Sequence, residues 1–261
     1  FGLWYGKGPG VDRSGDVFKH ANLAGTSKFG GVLVAMGDDH SAESSTELHQ
    51  SEYALVDAMM PILSPAGVQD ILDFGIFGWA LSRYSGLWVG IKCLKDTIEV
   101  TEVVDASHDR IKLKNVEDNK DPQLNIRLGD TPPAREERMH NKKVDAAKKF
   151  TRLNNINRVV ISPKKRSFGI ISSGKSWLDT VHALDLLGID EKEAATLEIT
   201  TFKIGMVWPL DEVAISDWAT GLERILVVEE KRNLIEGQLK EILYQLKERP
   251  EVIGHKDESG A

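Results

Sequence analysis

The chain has 261 residues, of which 41% are hydrophobic and 28% are charged, and its formal net charge at pH 7 is -7. This length allows one large or two medium domains. The negative charge argues against a broad nucleic-acid-binding surface. No apolar run approaches the ~20 residues of a membrane span, and the first residues lack the pattern of a secretory signal. We expect a cytoplasmic protein whose partners include neither nucleic acid nor a membrane.

The sequence contains a single cysteine, Cys93. One cysteine cannot form an internal disulfide, which fits a reducing compartment. It also cannot supply the roughly four ligands of an iron–sulfur cluster. The first residue is Phe1 rather than methionine. We therefore expect an internal fragment of a larger polypeptide, with a processed product as the alternative.

Helical and strand periodicities alternate along the first 104 residues, which predicts parallel α/β layers. A glycine-rich turn precedes a predicted helix over 11–27, which Asp12 or Ser14 would cap. The predicted strands span 32–36, 60–63 and 87–94. A loop and helix are predicted over 43–58, and a further helix over 66–84. The helix over 66–84 is apolar on more than one face, so we expect it to be mostly buried. Gly75 and Gly78 should permit close packing against a neighbour.

Polar residues and prolines dominate 105–133, which predicts a connector with one short strand over 110–113. A charged helix over 134–153, with a thin apolar stripe, is expected to bridge two domains. Beyond it, the predicted strands span 168–171, 201–206 and 224–228, and the predicted helices span 176–187, 211–219 and 234–246. The predicted domains are therefore 1–104, a connector over 105–157, and 158–261.

Residues 169–176 match the spacing of a P-loop, with two glycines followed by Lys175 and Ser176. We reject nucleotide hydrolysis because Ile170 and Ile171 continue the strand beyond the first glycine. The simpler interpretation is a strand-to-helix turn in which Ser173 or Ser176 caps the helix. Anion binding at the helix start near Gly174 remains a further possibility.

Gly6, Gly8 and Gly10 fall short of a dinucleotide-binding fingerprint and alone indicate only a flexible turn. Asp38, Asp39 and His40 directly follow a strand. These three groups either tune one another's pKa for acid–base chemistry, or cap a helix beside an exposed histidine. A metal site is the third option for this segment. It would use His40, Glu43, His49 and Glu52, but the tight spacing of two helical histidines is missing, so we predict no metal.

Several motifs together resemble a known family. They are Tyr-Gly-Lys-Gly-Pro-Gly-Val-Asp-Arg-Ser-Gly-Asp at 5–16, Met-Gly-Asp-Asp-His at 36–40, Glu-Ser-Ser at 43–45, Gly-Lys-Ser at 174–176, Lys-Ile-Gly-Met-Val-Trp-Pro-Leu at 203–210 and Val-Val-Glu-Glu-Lys at 227–231. In these motifs the chain resembles the 2-oxoacid:ferredoxin oxidoreductases, and most of all the large fused indolepyruvate ferredoxin oxidoreductases of bacteria. The resemblance implies an α/β fold in which the C-terminal part of a parallel-sheet, pyrimidine-type thiamine-diphosphate-binding domain precedes a transketolase-C-like α/β domain.

The resemblance also implies roles for individual residues. His40 and Lys7 would be catalytic, with His40 transferring a proton and Lys7 facing the substrate carboxylate; a solvated lysine is the alternative for Lys7. The segments around both residues would line the pocket. The implied cofactor-binding residues are Gly8, Pro9, Gly10, Asp38 and Asp39, and the implied substrate-pocket residues are Ser44 and Ser45. Structural roles are expected for the charges at 229–231 and for the segment 208–210.

By the same resemblance, the parent enzyme decarboxylates indolepyruvate or another aryl pyruvate on thiamine diphosphate. Coenzyme A accepts the acyl group, and ferredoxin receives the electrons. The resemblance places the Mg²⁺ ligands, the iron–sulfur clusters and the glutamate that activates the cofactor outside this chain, and it implies a homodimer. The isolated chain should therefore be inactive. Two alternatives remain open: a different 2-oxoacid as substrate, and a non-catalytic subunit or assembly module.

Overall fold

A computed structural model describes residues 1–114 and 123–256 of the chain. It divides into two compact units, 1–154 and 155–261. Among the described residues, no helix is both long enough and apolar enough to cross a bilayer.

The first unit is built on a parallel sheet with the strand order β1-β2-β4-β3. Its strands are β1 (Gly2–Lys7), β2 (Val32–Asp38), β3 (Ile62–Leu63) and β4 (Val89–Leu94). Its helices are α1 (Gly8–Arg13), α2 (Gly15–Ala24), α3 (Glu52–Asp57), α4 (Val68–Ser85), α5 (Lys95–Ile98), α6 (Pro132–Arg138) and α7 (Val144–Leu153), with a π-helical segment at Met139–Lys143 between the last two. Because the strands run in parallel, their carboxyl ends all meet at one edge of the sheet.

The start of the chain differs from the prediction. The predicted glycine-rich turn is taken up by the end of strand β1 and the first turn of α1, and β1 pairs in parallel with β2 from Gly2 to Lys7. The helix expected over 11–27 begins earlier, at Gly8, and Ser14 divides it into α1 and α2. Pro9 lies in the first turn of α1, where the missing N–H of proline costs no helical hydrogen bond. Ser14 occupies the N-cap position of α2, but neither predicted cap contributes a side-chain hydrogen bond there.

Helix α4 confirms the predicted helix, but the helix is only partly buried, since Leu72 and Ile76 are exposed. Leu33, Leu63 and Ile91 of the sheet approach Gly78 on this helix. A Cβ atom at Gly78 would lie 2.8 Å from Leu33 Cδ2, so glycine is needed there for close packing. The same expectation is wrong for Gly75, because no atom lies within 4 Å of the position its Cβ would take.

The charged segment over 134–153 is helical as predicted, apart from the π-helical turn at its centre. It lies within the first unit and packs on α4, where the rings of Tyr84 and Phe150 have centroids 5.7 Å apart. The strand expected over 110–113 is absent from the described residues there. Part of the predicted connector, 115–122, lies outside the described residues. The boundaries predicted at 104 and 157 stay predictions.

The second unit contains a sheet with the order β10-β9-β6-β7-β5, in which only the pairing of β5 with β7 is antiparallel. Its strands are β5 (Arg158–Ile161), β6 (Phe168–Ser173), β7 (Ile199–Ile204), β8 (Met206–Trp208), β9 (Arg224–Val228) and β10 (Glu251–Ile253). Its helices are α8 (Gly174–Leu186), α9 (Glu191–Thr196), α10 (Glu212–Ala219) and α11 (Leu234–Leu243). The three predicted strand–helix units are all present.

Strand β6 confirms the rejection of a P-loop. It runs from Phe168 to Ser173, so the first glycine of the motif, Gly169, lies inside the strand. A Cβ atom at Gly169 would lie 2.8 Å from the Trp218 ring, which shows that the glycine serves packing. Ser173 occupies the N-cap position of α8 without a side-chain hydrogen bond.

Candidate functional site

The predicted site residues of the first unit lie at the carboxyl ends of β1 and β2. Lys7 ends β1 and is paired in register with Gly37, while Asp38 ends β2. The segment 39–51, called here the β2–α3 loop, leaves the sheet at this edge. The fold therefore brings the glycine-rich segment and the acidic segment together, which is where ligands bind in parallel α/β sheets.

Lys7 contacts the β2–α3 loop directly. Its exposed Nζ donates a hydrogen bond to the main-chain oxygen of Ser44 at 2.6 Å and lies 3.5 Å from Ser44 Oγ. The structure therefore brings together Lys7 and Ser44, two residues singled out from the sequence. Lys7 is nevertheless exposed, and its role stays a prediction.

Asp39 organises the first turn of the β2–α3 loop. Its carboxylate accepts hydrogen bonds from the main-chain N–H of Glu43 at 3.1 Å and of Ser44 at 2.7 Å, and from Ser44 Oγ at 3.1 Å. The hydrogen bonds from Ser44 are the main cause that holds the pKa of Asp39 below its usual value, and Ser45 adds another main-chain donor. An ionised Asp39 thus fixes the residues predicted to line the substrate pocket.

Asp38 fixes the opposite end of the same loop. Its carboxylate accepts hydrogen bonds from Ser51 N, at 3.1 and 3.0 Å to the two oxygens, and from Ser51 Oγ at 2.6 Å. Burial raises the pKa of Asp38, and the neighbouring charge of Glu52 raises it further. Asp38 and Asp39 therefore clamp the β2–α3 loop at both ends.

Beside Asp38, a buried ion pair joins α3 to β4. Glu52 Oε1 lies 2.5 Å from Lys92 Nζ, and both side chains are largely excluded from solvent. Burial alone would raise the pKa of Glu52, but the Lys92 ammonium opposes this and holds the pKa below its usual value. Lys92 was not identified from the sequence, because only the fold places it opposite a residue 40 positions away.

The metal set considered from the sequence assembles only in part among the described residues, since His40 and Glu52 come together without Glu43 and His49. Among the described residues, the possible ligand atoms that lie within 4.8 Å of one another belong to Asp38, His40 and Glu52. Glu43 and His49 instead face Lys95 and Asp12. Lys92 pairs with Glu52 in this cluster, and the expectation that the segment holds no metal stays a prediction. The cluster does surround His40 with two carboxylates.

His49 packs against the start of α1, a contact that the sequence analysis missed. A Cβ atom at Gly8 would lie 2.0 Å from His49 Nδ1, so the imidazole ring occupies the space above the glycine. His49 Nε2 lies 3.3 Å from a carboxylate oxygen of Asp12 in α1. Gly8 is thus required by the packing of His49. Of the neighbouring residues, Pro9 is exposed, and the nearest neighbour of a Cβ at Gly10 is the Trp4 ring, at 3.8 Å.

In the second unit, Glu229, the first of the charged residues after β9, contacts the start of α11. Glu229 accepts hydrogen bonds from the main-chain N–H of Ile235 at 2.7 Å and of Glu236 at 2.9 Å, and so caps α11. Lys175 of the P-loop-like segment pairs with Asp179 at 2.6 Å.

Comparisons with known proteins agree with the resemblance described above. Residues 158–261 match the family described as the indolepyruvate oxidoreductase domain. The chain is 27% identical over 233 residues to the indolepyruvate oxidoreductase subunit IorA of Methanothermobacter marburgensis. It is 25% identical over 240 residues to the subunit of the same name from Pyrococcus horikoshii. Each alignment covers 88% of this chain and 35% of the relative.

Among solved structures, the 2-oxoglutarate:ferredoxin oxidoreductase of Magnetococcus marinus, solved with 2-oxoglutarate, coenzyme A and succinyl-CoA bound, aligns with a TM-score of 0.61. The sequences are 16% identical, and the alignment covers 97% of this chain and 49% of the other. The resemblance to the indolepyruvate oxidoreductases and the predicted fold class are confirmed. The chain spans about a third of the length of its curated relatives.

Proposed function

We propose that this chain is part of a thiamine-diphosphate-dependent 2-oxoacid:ferredoxin oxidoreductase that acts on indolepyruvate or another aryl pyruvate. The observation that carries the proposal is the edge at the carboxyl ends of β1 and β2. There, Lys7 lies beside the β2–α3 loop, which contains His40 and whose two ends are clamped by Asp38 and Asp39. The similarity to indolepyruvate oxidoreductase subunits supports the choice of substrate class.

In this proposal, Lys7 binds the carboxylate of the 2-oxoacid. Its Nζ already donates to an oxygen, the carbonyl of Ser44. A substrate carboxylate would form a stronger, charge-assisted hydrogen bond with the same ammonium. Ser44 and Ser45 line the pocket beside it. Substrate binding would therefore exchange one oxygen acceptor for another without unpairing Lys7.

His40 is the proposed proton-transfer residue. One of its ring nitrogens lies within 4.8 Å of an oxygen of Asp38 and of Glu52. A neighbouring carboxylate can orient an imidazole ring for proton transfer. Lys92 forms an ion pair with Glu52, and its charge also acts on Asp38. We infer that His40 exchanges a proton with the reacting substrate from this position.

The residues predicted to bind thiamine diphosphate fit the cofactor unequally. The carboxylates of Asp38 and Asp39 already accept protein hydrogen bonds, so they would shape the pocket rather than contact the cofactor. Gly8 is covered by His49, whereas Pro9 is exposed and the backbone at Gly10 has space around it. When bound, thiamine diphosphate would supply the electron sink for decarboxylation. Residues 8–10 would contribute only part of its site, shared with domains outside this chain.

The remaining parts of the proposed reaction need groups from elsewhere. One cysteine cannot supply the roughly four ligands of an iron–sulfur cluster, so electrons would pass to ferredoxin through clusters outside this chain, and the Mg²⁺ ligands would also lie there. Coenzyme A would accept the acyl group. We further propose a homodimer in the cytoplasm.

Turnover by the longer protein that contains this chain tests the proposal. Indolepyruvate, phenylpyruvate, pyruvate and 2-oxoglutarate would each be supplied with coenzyme A and a dye that accepts electrons. We expect dye reduction to depend on thiamine diphosphate and to be fastest with an aryl pyruvate, while the isolated chain stays inactive. Faster dye reduction with 2-oxoglutarate would contradict the proposed aryl pyruvate substrate. The absence of turnover with any of these 2-oxoacids would favour a non-catalytic subunit.

A further inference from the structure

Two lysines approach the tip of the β2–α3 loop from opposite sides. Lys7 ends β1, Lys95 directly follows β4, and β2 runs between these two strands. Lys7 donates to the main-chain oxygen of Ser44, and the Lys95 ammonium forms an ion pair with the carboxylate of Glu43. Their two acceptors therefore belong to adjacent residues of one loop.

Asp39 holds these two acceptors in place. Its two carboxylate oxygens accept hydrogen bonds from the main-chain N–H of Glu43 and of Ser44. The loop tip thus presents a carboxylate to one lysine and a carbonyl oxygen to the other. Both are oxygen acceptors, and the two oxygens of a substrate carboxylate could replace them.

We propose that Lys95 is a second substrate-binding lysine, and that the Glu43 carboxylate occupies it when no substrate is bound. The inference rests on the proposed function, since it adds a residue to the same site. Lys7 and Lys95 would together hold the carboxylate end of the 2-oxoacid. Glu43 would act as a built-in competitor that leaves Lys95 when substrate enters.

Exposure explains why Lys95, and not Lys92, fits this role. The Lys95 and Glu43 side chains are 31% and 53% exposed, whereas those of Lys92 and Glu52 are 11% and 6% exposed. An ion pair that is open to solvent is weak and exchanges partners easily. Breaking a buried ion pair leaves an uncompensated charge, so Lys92 is not available to a substrate.

Steady-state kinetics of the full holoenzyme with an aryl pyruvate test the inference. Lys95→Gln should raise KM roughly fivefold with little change in kcat, because binding is lost equally in the ground state and the transition state. Lys95→Arg should restore KM because it keeps the charge. Glu43→Gln should lower KM by roughly twofold to fivefold, because a competitor of ordinary surface ion-pair strength is removed.

Lys19→Gln is the matched control. Lys19 forms an exposed ion pair with Asp57 at 2.5 Å in the same unit and has no part in the proposed site, so this change should leave KM unaltered. The inference is overturned if Lys95→Gln leaves KM unchanged in an active enzyme. It is also overturned if Glu43→Gln raises KM as Lys95→Gln does, since the pair would then only support the loop. An unaltered enzyme that turns over no 2-oxoacid refutes the proposed function itself, and this inference with it.

Discussion

Replacing Gly8 with alanine, alone and together with His49→Ala, tests how the glycine-rich segment is held against the β2–α3 loop. In the structure, the new methyl group would lie 2.0 Å from His49 Nδ1, far inside van der Waals contact. The His49 ring would have to move, and it is 18% exposed and faces Asp12. Overpacking of this kind costs about 1–3 kcal/mol of unfolding free energy.

The sign of the effect should reverse once the ring is removed. Gly8 is the first residue of α1, and alanine is favoured over glycine in a helix. In a His49→Ala background, Gly8→Ala should therefore be neutral or stabilising by up to about 0.5 kcal/mol. The coupling energy between the two positions should then reach about 1–3 kcal/mol, as found for residues in direct contact.

Urea denaturation of the four proteins in this cycle, followed by circular dichroism, measures the coupling. With His49 present, Gly8→Ala should lower the urea midpoint of unfolding. In the His49→Ala background, Gly8→Ala should not lower it. The reasoning is refuted if Gly8→Ala destabilises both backgrounds equally, because His49 would then not occupy the space above Gly8. It is also refuted if Gly8→Ala leaves the original chain as stable as before.

Three further predictions concern other buried or capping charges. Burial, helped by the charge of Arg138, lowers the pKa of Lys143 from 10.5 to about 8, so between these pH values the unfolded chain binds a proton that the folded chain does not, and the free energy of unfolding rises with pH by up to about 3 kcal/mol. Lys143→Met should lose that rise in urea titrations at several pH values, and an equal rise in both proteins would contradict the assignment. Lys92→Met should destabilise the chain by about 3–5 kcal/mol because it leaves Glu52 charged and buried, and adding Glu52→Gln should recover much of the lost stability, as measured by thermal unfolding. A loss of stability that Glu52→Gln does not reduce would argue against the ion pair. Glu229→Ala should cost about 0.5–2 kcal/mol through loss of the α11 cap, visible as faster hydrogen exchange at the Ile235 and Glu236 amides, whereas unchanged exchange would argue against capping.

Most of the sheet architecture could be predicted because buried strands and the apolar helix α4 show clear periodicities. Strand β1 could not, since its residues lead directly into Gly8, Pro9 and Gly10, which are typical of turns. Strand β1 lies at one edge of the sheet, where alternate side chains are exposed, so its pattern is weaker than that of a buried strand.

The site could be predicted in its location but not in its contacts. Asp38 and Asp39 could be identified as charged residues that follow a strand. Their hydrogen-bond partners could not, because the path of the loop brings in residues up to 13 positions away. The contact between Gly8 and His49 spans 41 residues and leaves no local signal. Lys95 was overlooked because a single lysine in a helical turn carries no motif.

The most direct test of the account is the kinetics of Lys7→Gln in the longer protein, with indolepyruvate as substrate and Lys28→Gln as the exposed control. Loss of a charge-assisted hydrogen bond worth about 1.5–3 kcal/mol should raise KM by at least roughly tenfold. Lys28→Gln should leave KM as it was. An unchanged KM in the Lys7→Gln enzyme would show that the edge formed by β1 and β2 does not bind the 2-oxoacid.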